Sequence, residues 1–420
     1  MSPCDSWDWE TEEKRIPFSR WQTQYQWVES PCVAPDGESI AAVVRLTEAG
    51  FGVRVNDRLW TQMFEKAWHL GFAPDGRLVA IVSDGETWTV AVDSRLWEHR
   101  FDYIWRPLFC PQGSHMAFAF QQDRQYGMIL DDHPWPNTFA NISAMNLSPD
   151  GLHTSASVQV KHLPAGDIFA FAQGAFSAAA DGQAWPATFM NVWRGCFSPD
   201  GAHLAAEVRL SPDEYTIAVD GEQWPHTFTA VWEPRFHPHG GSVTAPVRLD
   251  GCWTLARDGR IEWRRNFVQC WQHQYSPNGE HIAAIVCPEY GRWTVALDGK
   301  PWRLRVGDMI TDLSFSADGR HVAAAVKNKN TWSIAVDDLC WHHRFDRVWP
   351  PVFSPDGWHV AIKAEKEGRF ALVVDDVVTP VSGEVMWSPC FSPNAEKLLV
   401  PLIRDGSFVR RIVSMGEVLG

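Results

Sequence analysis

Six histidines stand at one recurring place in the chain: His115, His153, His203, His281, His321 and His359. Imidazole is the commonest protein ligand for zinc and related ions, so a repeated histidine raises the question of a metal centre. The pair His342-His343 and the run Asp131-Asp132-His133 raise it again. Nine cysteines add thiols, but none falls in a CxxC pair or in the CxxCH of c-type haem attachment. Cys32, Cys196 and Cys390 share one position relative to a repeated turn, which marks them as small packed residues, not ligands or disulfide halves. The stretch Ser83-Asp-Gly-Glu-Thr-Trp88 falls two residues short of a sialidase Asp-box. No G-x-S-x-G elbow, G-x-G-x-x-G or phosphate loop occurs. The sequence therefore assigns no catalytic residue, no metal ligand and no cofactor.

What the histidines mean depends on the elements that carry them. Each stands three residues after the anchor of a turn that is spelled Ser-Pro-Asp-Gly in its clearest copies. The anchors are Asp36, Asp75, Gln112, Asp150, Asp200, His239, Asn278, Asp318, Asp356 and Asn394, spaced by 37 to 40 residues except for 50 between Asp150 and Asp200. Pro presets φ, Asp or Asn caps the turn through its side chain, and Gly accepts φ > 0. Each anchor is thus a hairpin tip. A short run ending in an aromatic precedes it, as in Trp193-Arg-Gly-Cys-Phe197, and an apolar run follows, as in Leu204-Ala-Ala-Glu-Val208 or Ile282-Ala-Ala-Ile-Val286. A third strand ends in Asp, often Asp-Gly, as in Tyr215-Thr-Ile-Ala-Val-Asp220, and a fourth begins at a Trp such as Trp224.

Four short strands in about 39 residues, copied ten times, predict an all-β protein: a β-propeller of ten four-stranded blades spanning residues 1–420. One histidine per blade then leaves the six separated by whole blades, unable to converge on one ion. The adjacent pairs point to opposite faces of their strands and chelate poorly. The last copy lacks a fourth strand, and a strand from about 16 to 27 is expected to supply it and close the circle. A single ring is favoured. Two five-bladed rings are the alternative, because the long gap falls between copies four and five.

The Phe-Ser-Pro-Asp-Gly turns and third-strand Asp-Gly pairs resemble the WD40-like repeats of the TolB type. That resemblance covers nearly the whole chain, and it implies the propeller fold while saying little about activity.

The 24 tryptophans are ordered. W-x3-F-x3-W is complete at Trp60/Phe64/Trp68, Trp97/Phe101/Trp105, Trp185/Phe189/Trp193, Trp224/Phe228/Trp232, Trp263/Phe267/Trp271 and Trp341/Phe345/Trp349. Most of these rings are expected between blades, since each aromatic buries roughly 150–250 Å². The last Trp of each unit is the exception to watch. Trp68, Trp105, Trp193, Trp232, Trp271, Trp349 and Trp387 all lie seven residues before an anchor, at one mouth of the axial channel. They form a candidate aromatic collar for a partner or ring-shaped ligand. The same mouth receives the longest connection, an insertion at 161–174 that brings Ile168, Phe169 and Phe171 to a surface loop.

A formal charge of −14 argues against nucleic acid or an anionic membrane surface as partner. No apolar run reaches the roughly 18 residues of a spanning helix, and the start has no signal-peptide h-region. A cytoplasmic chain with reduced thiols is the expectation, membrane-peripheral only through partners. Two functions follow. The first is a non-catalytic scaffold subunit. Its Trp abundance, size and lack of a signal make it similar to the tryptophan-rich propeller subunits of the Tmc transmembrane redox complex of sulfate-reducing bacteria. That resemblance implies partnership with a membrane cytochrome b, an iron–sulfur subunit and a multihaem cytochrome c. The second is a carbohydrate-binding or hydrolytic, lactonase-like propeller, with Trp platforms beside Asp or Glu.

Overall fold

Around Asp200 the repeat closes by hydrogen bonds that its own letters provide. Gly201, at φ +73°, donates its N–H to the Ser198 carbonyl at 2.9 Å, and Ala202 donates to Asp200 Oδ1 at 3.1 Å. The Ser198 hydroxyl accepts the His203 N–H at 3.0 Å. His203 Nδ1 then meets Asp220 Oδ2 at 2.6 Å, while Asp220 Oδ1 accepts the Leu204 N–H at 2.9 Å. The third-strand Asp thus ties the start of the second strand, and the repeated histidine is its partner. The same His–Asp contact joins His115 to Asp131, His153 to Asp181, His281 to Asp298, His321 to Asp337 and His359 to Asp375. These histidines are staples between strands of one blade.

The computed structural model describes residues 3–419 apart from 30, 49 and 164–166. Ten antiparallel sheets follow one another along the chain, nine of them ordered first to fourth strand as the sequence runs and the last completed by a strand from the start of the chain. Blade 2, for example, comprises Lys66–Phe72, Leu78–Asp84, Thr87–Val92 and Arg95–Leu96. Blade 5 comprises Asn191–Phe197, Leu204–Ser211, Glu214–Val219 and Glu222–Gln223. In blade 9 the first strand is split into Arg347–Val348 and Val352–Phe353, before Val360–Lys366, Arg369–Val374 and Val377–Gly383. No helix among the described residues is long and apolar enough to cross a membrane.

Apolar clusters fill every seam between consecutive blades. Ala205, Ile217, Trp224, Phe228 and Val231 pack between blades 5 and 6. Ala178, Phe189, Val192 and Val208 pack between blades 4 and 5, across the long gap in the repeat. Phe18, Trp21, Ile40, Ala42, Ile403 and Phe408 join the last blade to the first. This continuity selects the single ten-bladed ring over two rings of five.

The circle closes three residues earlier than the sequence suggests. The strand that completes blade 10 is Glu13–Ile16, paired with Phe408–Arg411. The expected strand at 16–27 instead contains a short helix, Ser19–Gln24, whose Trp21 is 1% exposed in the closing seam. Burying that indole and Phe18 requires a turn of helix that brings both to one side. Arg410 secures the junction from blade 10. Its Nε reaches the Asp36 carbonyl and Glu38 Oε1, both at 3.0 Å, and its other nitrogens reach the carbonyls of Thr11 and Asp8.

Candidate functional site

Antiparallel order puts the Ser-Pro-Asp-Gly turns at one mouth of the ring. The second-to-third connections and the crossings into each new blade lie at the other, which is the mouth that the collar tryptophans and the insertion share. The W-x3-F-x3-W unit divides its labour there. The fourth strand is only two residues in most blades and ends just before the first Trp, not at the Phe. That Phe instead bridges back to the residue opening the third strand, as Phe228 does to Tyr215. First Trp and Phe both enter the seams: Trp224 and Trp263 are 8% and 5% exposed, Phe228 and Phe267 6% and 1%. The last Trp stays at the surface.

Each collar indole leans along its own blade onto the aromatic that opens the third strand. Trp68 stacks on Trp88 at 4.7 Å, Trp271 on Trp293 at 4.7 Å, Trp232 on Trp253 at 5.3 Å and Trp193 on Tyr215 at 5.9 Å. Trp349 is tilted against Phe370 at 5.5 Å, while Trp105 and Trp387 meet Tyr126 and Phe408 edge-on. Trp193 and Trp232 are exposed; the other five are half-buried. Blades 1, 4 and 8 interrupt the collar with Glu29, Ser143 and Thr311.

Of the seven, the structure brings three together. Trp193, Trp232 and Trp271 line a cavity of about 620 Å³ with Tyr215, Arg194, Glu207 and Glu233. It sits over the seam between blades 5 and 6 and shares Arg194, Glu233 and Gln272 with a polar recess lined by residues from blades 5 to 9. The carboxylates were not among the expected site residues. Their signal is one of register. The second-strand residue opposite the collar position is Ile81 in blade 2, Ala119 in blade 3 and Ile285 in blade 7. In blade 5 that place falls to Glu207, one residue before the Val192–Val208 pair.

Glu207 faces blade 6, on the same side of its strand as Ala205. It is 8% exposed, and no hydrogen bond or ion pair from a described residue reaches its carboxyl group. Burial, reinforced by the charge of Glu233 and opposed by Arg194, pushes its pKa up to about 8. Glu233 is engaged at the rim, where its Oε2 accepts from Arg194 Nη1 at 2.6 Å. Ser157, the blade 4 counterpart of Glu207, donates to the Trp193 carbonyl at 2.9 Å and anchors the collar from the neighbouring blade.

The insertion carries a short helix, Ile168–Ala172, where the sequence suggested only a loop; residues 164–166 of it lie outside the described residues. Asp167 caps it by accepting the Ala170 N–H at 2.9 Å. Phe171 turns inward to meet Phe176 edge-on at 6.4 Å, whereas Ile168 and Phe169 are 74% and 83% exposed.

Among the described residues no group of three His, Cys, Asp or Glu is placed to hold a metal ion. All nine cysteines are free, and burial pushes the thiols of Cys32, Cys196 and Cys390 up to about 12, as suits packed and unreactive residues.

No family model matches the chain, and no curated protein matches it. Among solved structures, the crystal structure of a eukaryotic initiation factor is similar, with a TM-score of 0.51 and 13% identity over 79% of this chain and 90% of that one. At that identity the likeness extends to the fold alone.

Proposed function

We propose that this ring is a non-catalytic interaction scaffold that docks a protein partner on the collar mouth. The observation that carries the proposal is the blade 4 insertion. Most other blades join their second and third strands with a tight turn, whereas blade 4 spends a capped helix on holding Ile168 and Phe169 in solvent. An apolar pair held this far out into solvent suits a surface covered by another chain. The exposed indoles of Trp193 and Trp232 lie at the same mouth, and Trp is enriched where binding energy concentrates. The similarity in Trp abundance and size to the tryptophan-rich propeller subunits makes the other subunits of a membrane redox complex the first partners to try, this chain acting as their rigid platform.

A photo-crosslinking residue at Phe169 or at Trp232 tests the proposal. Both sites are expected to capture the same protein from the native source. A third probe at Trp358, which is 72% exposed at the opposite mouth, is expected to capture none. Equal capture from both mouths removes the assignment.

A second reading draws on Glu207 and Glu233 beside Trp193 and Trp232, an arrangement that suits a sugar stacked on an indole within reach of a protonated and an ionised carboxyl group. Quenching of Trp fluorescence by neutral oligosaccharides, lost on Trp193→Ala, is its expected signature; flat titrations across several sugars dismiss it.

A further inference from the structure

Glu207 is the one acidic residue at its register position. Its counterparts show two ways of completing a seam: filling it with a side chain such as Ile81 or Ile285, or supplying the polar partner from the chain, as Ser157 does. Blade 9 gives the most direct comparison. There the position is Lys363, whose carbonyl accepts the Trp349 N–H at 3.1 Å. Its Nζ lies 3.9 Å from the centre of the Trp349 ring, 5.4 Å from that of Phe370, and donates to the Met386 carbonyl at 3.0 Å. The chain thus places a cation of its own on the collar indole of blade 9. In blade 5 the equivalent place holds a carboxyl group, Trp193 and Trp232 line the cavity, and the nearest ring-bound cation, Arg209, lies over Tyr215 at 5.3 Å and not over either indole.

We propose that the cavity between blades 5 and 6 receives an arginine side chain from a protein partner, its guanidinium stacked on the collar indoles and paired with Glu207. This rests on the collar mouth being the docking surface. Three features favour arginine. Aromatic faces attract cations, and a planar, weakly hydrated guanidinium both stacks and pairs with a carboxylate at small desolvation cost. The local charges also balance: Arg194 offsets Glu233, leaving an ionised Glu207 to match one guest. Finally, about 620 Å³ admits the side chain with part of the backbone beside it, as at an exposed turn of a partner. Arginine keeps its charge throughout the neutral range, so its entry makes Glu207 give up its proton to solvent; among the described residues the other charged groups acting on Glu207 are Glu233 and Arg194.

The test uses the full chain and two blocked tripeptides, acetyl-Gly-Arg-Gly-amide and its citrulline counterpart, which keeps the shape and loses the charge. Calorimetry in buffers of differing ionisation enthalpy is expected to show the arginine peptide binding at least about tenfold more tightly than citrulline. Release of about one proton at pH 7, falling towards zero above pH 9, is expected with it. Glu207→Gln should abolish both the preference and the proton release. Glu207→Ile, which restores the filling found in blade 7, keeps the ring intact and also abolishes binding. Equal affinity for the two peptides, no binding of either, or arginine binding unchanged in Glu207→Gln overturns the inference, as does an oligosaccharide that occupies the cavity through the same residues. If crosslinking from Phe169 persists while the arginine effects are absent, the inference fails and the docking surface stands; if crosslinking is also absent, both fail.

Discussion

Blades 5 and 9 each set a collar indole against a ring of the third strand, and they differ in what the second strand places opposite that indole: a buried carboxyl group in blade 5, a half-buried ammonium in blade 9. In blade 9 the Lys363 stem lies along the seam and its ammonium rests on Trp349. In blade 5 Glu207 brings no cation to the face of Trp193, and the indole lines a cavity. One register position therefore decides whether a seam is completed from within or left open to a guest. The repeat builds the frame, and departures from the repeat make the site.

The largest expected effect comes from removing the acid. The folded chain holds the Glu207 proton up to about pH 8, against 4.5 for the free side chain, so the folded state binds more protons across that window. Glu207 therefore stabilises the ring least at high pH: its contribution falls as pH rises from about 4.5 to about 8 and is level above. Glu207→Ile should erase that slope, with a gain of the order of 3–5 kcal/mol at pH 9 relative to the wild-type change from pH 5. Denaturant unfolding at the two pH values measures it, and parallel profiles for the two proteins break the comparison.

Next comes loss of the cation in blade 9. Lys363→Met keeps the stem and deletes the ammonium, and should lower stability by about 1–2 kcal/mol through the lost ring contact and the Met386 carbonyl left without its donor. Lys363→Glu sharpens the contrast, because it recreates the blade 5 arrangement under Trp349. It should give blade 9 a pH-dependent stability and a second arginine-peptide site, read as a rise in calorimetric stoichiometry.

The smallest effect separates the last Trp of one W-x3-F-x3-W unit from the first Trp of the next. Trp193→Ala removes an exposed indole and should change stability by less than about 1 kcal/mol while abolishing peptide binding. The buried Trp224 is the control: Trp224→Ala should cost about 3–5 kcal/mol in the same unfolding assay. Similar losses at both positions would show the collar to be structural.

Much of the frame was legible. Turn letters set the hairpin tips, and the alternation of apolar and polar residues set the faces, because both act within a few residues along the chain. The division between seam and collar in the aromatic unit was legible in outline, since the last Trp falls where the chain crosses inward. The closing strand was misplaced by three residues because Phe18 and Trp21 are drawn to the closing seam, a demand that arises only once blade 10 meets blade 1. The insertion helix was missed because five residues give no periodicity to read. Glu207 stood in plain view among Leu204-Ala-Ala-Glu-Val208, but a single polar letter in an apolar run carries no meaning until its partners, or their lack, are known.

The sequence by itself determined ten sheets, their strand order and the positions of their turns, because hydrogen bonding in a hairpin is settled by neighbours in the chain. The tertiary structure alone decided that the ten sheets share one ring, that three of seven collar indoles converge, and that one acidic side chain is buried beside them with no hydrogen bond from a described residue. Those facts concern residues brought together across seams between blades, where packing and desolvation act, and no spacing along the chain encodes them.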